Sequence, residues 1–121
     1  MSERRPERTR LGAWQALERH AAALRGAHLR DLFASDPERG RHMAVEALGV
    51  YVDYSKQRLV PETMRLLLSL ADECRLPERI EAMFGGAAVN ATEGRPALHV
   101  ALRAPRDAPY FVADRAVMRE V

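Results

Sequence analysis

The spacing of apolar residues changes period several times along this chain, and each change marks an element. From Trp14, steps of three and four connect Trp14, Leu17, Ala21 and Leu24, while Glu18, Arg19 and Arg25 fall on other faces. That spacing predicts an amphipathic helix over 14–25, ending near Gly26. A second short helical run covers His28 to Phe33. Ser35-Asp36-Pro37-Glu38 reads as a helix cap or turn, with proline suited to a first helical position. Between Val45 and Tyr54 the period drops to two, with Val50, Val52 and Tyr54 alternating against Tyr51 and Asp53. β-Branched and aromatic residues dominate there, so one short strand is expected. Ser55 to Arg58 is a polar exit from it.

The clearest helix opens at Pro61-Glu62-Thr63 and runs over 62–74, with Met64, Leu67, Leu68 and Ala71 on one face. Leu76-Pro77-Glu78 ends it and starts another, which passes through Ile80, Met83 and Phe84 to a glycine cap at Gly85-Gly86. Further on, Thr92 is placed to cap a helix reaching Arg103, with Glu93 near its positive end and Pro96 in its first turn. Pro105 and Pro109 bracket a loop, Tyr110-Phe111-Val112 is a candidate strand, and Asp114 is placed to cap a last helix that reaches Val121. Two readings stand for that end: a short frayed helix, or a chain cut off inside a helix. The fold class is therefore mainly α with short β-strands, preceded by a flexible basic tail at 1–11.

Composition narrows the function classes. Hydrophobic residues are 47% and charged residues 30% of 121 residues, an ordinary globular balance. No stretch approaches the roughly 20 apolar residues of a membrane helix. The N-terminus, Met-Ser-Glu-Arg-Arg-Pro-Glu-Arg, has no apolar segment behind it, so no secretory signal is expected. The single cysteine, Cys74, rules out an internal disulfide and suits a reducing cytoplasm. Net charge is +2, and the first ten residues, with four arginines and two glutamates, hold the whole excess. The body is balanced, so neither a nucleic-acid face nor a membrane surface is indicated.

Candidate chemistry is sparse. His20, His28, His42 and His99 are scattered and make no i, i+4 pair or HExxH, so no metal site is read. Cys74 is placed in a helix beside Asp72 and Glu73, a setting that opposes the thiolate, and it lacks a CxxC neighbour. Asp53-Tyr54-Ser55-Lys56 lacks the S-x-x-K spacing of a serine acylase. Gly85-Gly86 matches neither GxGxxG nor GxxxxGK[ST]. The segment from Asn90 to Arg103 concentrates polar groups, Asn90, Glu93, Arg95, His99 and Arg103, beside an apolar stripe of Leu98, Ala101 and Leu102. Residue chemistry alone reads it as a capped helix with Glu93 paired to an arginine.

A resemblance adds to this reading. Met83-Phe84-Gly85-Gly86-Ala87-Ala88-Val89-Asn90-Ala91-Thr92-Glu93-Gly94-Arg95-Pro96-Ala97-Leu98-His99-Val100-Ala101-Leu102-Arg103 resembles the pattern M-F-x-G-x-K-I-N-x-T-E-x-R-A-x-L-H-x-A-L-R of the glucose-6-phosphate isomerase family. Leu29 to Arg39 resembles its L-R-x-L-F-x-x-D-P-x-R, and Asp53-Tyr54-Ser55-Lys56 its D-Y-S-K. The match runs in register over about residues 12 to 121. Gly40, Ala88 and Pro96 stand where the family has phenylalanine, lysine and alanine. The resemblance implies the N-terminal part of an α/β, doubly wound sugar-isomerase fold, with 12–121 as a helical arm truncated before the first sugar-isomerase subdomain. It implies an intact homodimeric, cytoplasmic enzyme that interconverts glucose 6-phosphate and fructose 6-phosphate through an enediol, with no metal or organic cofactor. The family's glutamate base, histidine, phosphate-binding loop, lysine and arginine lie downstream of the matched region. No catalytic, cofactor-binding or metal residue is therefore assigned in 1–121. A role beyond structure stays open for Asn90, Thr92, Glu93, Arg95 and His99. The alternative reading is a self-standing helical interaction module without catalysis.

Overall fold

The computed structural model describes residues 7–112 and 115–118. It is helical with two small antiparallel sheets, in keeping with the expected mix. The chain divides into two units, Met1–Glu73 and Cys74–Val121.

In the first unit, one 3-10 turn at Arg8–Arg10 leads into helix α1, Gly12–Leu24. Part of the expected tail is thus ordered, and residues 1–6 lie outside the described residues. Helix α4, Pro61–Glu73, runs antiparallel to α1, because the start of α1 meets the end of α4 (Ala13 with Glu73) and His20 meets Thr63. The first α1 amides need acceptors, as at any helix start. The N–H of Ala13 donates to both carboxylate oxygens of Glu73 at 3.1 Å, so an acid from α4 sits at the positive end of α1. At the other end of α4, Thr63 Oγ1 accepts from the N–H of Val60 at 3.0 Å and lies 2.7 Å from His20 Nε2. This is the reach-back half of a capping box, with threonine in place of glutamate. Thr63 and Leu66 are the buried residues of α4, whereas Leu67 and Leu68, on the face chosen by spacing, are exposed.

Helix α2, Leu29–Ser35, starts at His28, whose Nδ1 accepts from the N–H of Arg30 at 3.1 Å. After Asp36-Pro37, the single turn α3, Arg39–His42, carries the chain to the first sheet. The expected single strand over 45–54 is a hairpin instead. β1, Ala44–Ala47, pairs with β2, Val50–Asp53, in the register Ala44 to Asp53 and Ala47 to Val50. Leu48 and Gly49 form the two-residue turn with φ of 53° and 75°. Positive φ at both positions gives the hand of a type I′ turn, which suits the twist of a hairpin. Leucine is a rare occupant of such a position, which is why apolar alternation ran through it unbroken.

In the second unit, helix α5, Leu76–Phe84, ends in a Schellman motif. The N–H of Ala87 donates to Ala82 O at 2.9 Å, that of Gly86 donates to Met83 O at 3.2 Å, and Gly86 has φ 75°. A β-carbon on Gly86 would collide with the carbonyl oxygen of Phe111, so two separate constraints require glycine. The Tyr110 hydroxyl donates to Met83 O at 2.9 Å and fastens the following strand to the end of α5.

Two expectations fail in this unit. Thr92 caps no helix: residues 91–94 form a turn, and α6 begins only at His99, running His99–Arg103. Pro96 lies before α6 and not in its first turn, because Asn90 and Arg95 close a bridge across the 91–94 turn and the helix starts only after it. The last helix is absent at 115–116 as well. β4, Arg115–Ala116, pairs antiparallel with β3, Phe111–Val112, and the N–H of Val117 donates to Tyr110 O at 3.1 Å. Pairing with the aromatic and β-branched strand overrides the weak local i, i+4 helix signal. Asp114 and residues 119–121 lie outside the described residues.

Candidate functional site

The motif-bearing residues form three local constructions. The first is the Asn90–Arg95 turn. Asn90 and Arg95 exchange main-chain hydrogen bonds at 3.0 and 3.3 Å, and the N–H of Gly94 donates to Asn90 O at 2.8 Å. Asn90 Oδ1 accepts from the N–H groups of Thr92 and Glu93 at 3.2 and 3.3 Å, and its Nδ2 donates to Glu93 Oε2 at 3.2 Å. This is an Asx turn, in which an asparagine side chain does the work of a main-chain carbonyl. Gly94, at φ 66°, supplies the left-handed step that returns the chain. Glu93 is therefore partnered by Asn90 rather than by the expected arginine. Thr92 contributes its N–H to the turn, and His99 opens α6 with its carbonyl accepting from Arg103 Nη1 at 3.3 Å.

The second construction surrounds Arg39, which is 2% exposed. Its Nε donates to Ser55 O at 2.8 Å, and its Nη2 donates to Gln57 O at 2.9 Å and Leu59 O at 2.6 Å. The guanidinium lies 5.7 Å from the centre of the Phe33 ring. One side chain thereby gathers the loop after β2 onto α2 and α3. In the sequence Arg39 is marked only by its place at the end of the Leu29–Arg39 segment that carries the family resemblance.

The third is Asp53-Tyr54-Ser55-Lys56. The N–H of Ser55 donates to Asp53 Oδ1 at 2.8 Å. The Ser55 hydroxyl first, and this N–H second, hold the Asp53 carboxyl below the usual carboxylate range. Ser55 is buried, and its carbonyl is the acceptor for Arg39, so the segment is a turn that serves the arginine anchor. Elsewhere, Glu62 is held below its ordinary range by its hydrogen bonds from Arg65, at 2.6 and 2.7 Å.

The histidines remain apart, each with a local duty: His28 caps α2, His42 Nδ1 lies 3.0 Å from Asp36 Oδ2, and His20 meets Thr63. Cys74 lies in the turn after α4 and not within the helix, and its carbonyl accepts from Arg79 Nε at 3.2 Å. Among the described residues no three His, Cys, Asp or Glu side chains come together as metal ligands. What these constructions do chemically is satisfy backbone polar groups and fix loops.

Comparison with known proteins gives this framework a family. The model of "Phosphoglucose isomerase" matches residues 53–121. The chain is 56% identical over 104 residues to a glucose-6-phosphate isomerase of Nitrosospira multiformis, covering 86% of this chain and 19% of that protein. It is 54% identical over 121 residues, its whole length, to one from Anaeromyxobacter dehalogenans, of which it covers 22%. A third, from Deinococcus radiodurans, is 55% identical over 113 residues, covering 93% of this chain and 21% of that protein. The chain thus spans about a fifth of the length of the curated relatives it matches, and it belongs to the phosphoglucose isomerase family.

Proposed function

We propose that this chain is the N-terminal arm of an aldose–ketose isomerase that interconverts glucose 6-phosphate and fructose 6-phosphate, and that its part in the reaction is structural. The observation that carries the reading is identity of 54% maintained over all 121 residues with a single glucose-6-phosphate isomerase. The reaction moves a proton between C1 and C2 through an enediol and needs a base within reach of that proton. Four of the carboxylates here have structural tasks: Glu73 caps α1, Glu93 closes the Asn90 turn, Glu62 pairs with Arg65, and Asp53 holds Ser55. The base and the phosphate-binding groups belong, on this reading, to the four-fifths of the enzyme outside this segment. There the sugar-isomerase subdomains would carry them, in a cytoplasmic homodimer that needs no metal or organic cofactor.

The test is a chimera in which residues 1–121 replace the corresponding part of the Anaeromyxobacter dehalogenans enzyme. A coupled assay that follows fructose 6-phosphate conversion should find the chimera active and the 121-residue chain inactive. An inactive but folded chimera, or turnover by the chain alone, refutes the proposal.

A further inference from the structure

We draw no further inference here: the strongest candidate, the open apolar face of the β1–β2 hairpin, where Val45, Val50 and Val52 share one side and Leu48 stands exposed at the turn, carries nothing because nothing in the structure shows what covers it.

Discussion

Replacing Arg39 tests whether one buried side chain organises the first unit. Its guanidinium makes three hydrogen bonds to the carbonyls of Ser55, Gln57 and Leu59 and lies over Phe33. Hydrogen bonds to a charged group contribute about 1.5–3 kcal/mol each, without simple additivity. A partly desolvated cation–π contact adds about 1 kcal/mol. Arg39→Ala removes all of these, opens a cavity, and leaves three carbonyls to find water. The expected loss is about 3–5 kcal/mol, set against a typical total of about 5–15 kcal/mol. Arg39→Lys separates charge from geometry. An ammonium keeps the charge but has no planar fork to serve Ser55 with one nitrogen and Gln57 and Leu59 with another. It should recover less than half of the loss.

Urea unfolding of the 121-residue chain, followed by the fluorescence of Trp14, its only tryptophan, measures both variants. For a protein of this size the slope is about 1–3 kcal/mol per molar urea, so Arg39→Ala should lower the midpoint by about 2 M or be unfolded without urea. An alanine variant within about 1 kcal/mol of the parent would show that the guanidinium network contributes little. A lysine variant equal to the parent would show that charge, and not the fork, is what the site needs.

Three further outcomes follow from the geometry. Gly86→Ala should cost at least about 1–2 kcal/mol in a thermal or urea melt, from a left-handed alanine and its collision with the Phe111 carbonyl; Gly40→Ala, with open space around it, should be neutral or slightly stabilising. Asn90→Ala should lower stability by about 1 kcal/mol, because two N–H groups lose their acceptor, while Thr92→Ala should stay within about 0.5 kcal/mol; the reverse order would restore Thr92 as a cap. Asp53 is held below its unfolded-state range, so its contribution is full above that range and is lost as pH falls through the folded value; Asp53→Asn should therefore flatten the acid limb of stability against pH, and an unchanged limb would refute the assignment.

What the sequence made legible were elements with a full set of local signals. Helix α1 occupies Gly12–Leu24 against an expected 14–25, and α4 opens at Pro61 as proposed. The glycine cap of α5 is where Gly85-Gly86 placed it, because apolar spacing, proline at the start and glycine at the end all agree. The failures share a different cause. The hairpin hid behind Leu48-Gly49, which lacks the Asn-Gly or Asp-Gly signature of its turn. Thr92 was read as a cap from its hydroxyl, yet Asn90, two residues earlier, takes the available N–H groups with its amide oxygen. Arg115 and Ala116 follow their strand partner rather than their own propensity. Arg39 carried a motif position but no sign of its role, since its acceptors are main-chain carbonyls 16 to 20 residues away.

These misses separate two kinds of interaction by range. The polar groups are satisfied close at hand: Arg39, Thr63, Glu73 and Asn90 each find their partners within their own unit. Hydrogen bonds are directional and costly to leave unmade, and these four groups close theirs within the unit, whereas the buried Trp14 Nε1 has no partner among the described residues. The apolar surface follows another rule. Val50, Leu67 and Leu68 in the first unit, and Ile80, Phe84 and Leu102 in the second, remain open to solvent. Apolar attraction is non-directional and scales with area, so it can wait for a distant surface. A segment built this way supplies fixed loops and helix ends through its polar anchors, and a site for further packing through its apolar faces. Substitutions at the anchors should therefore register as lost stability with little change in the Michaelis constant of an active chimera. Substitutions on the apolar faces should register as altered assembly with the rest of that chimera.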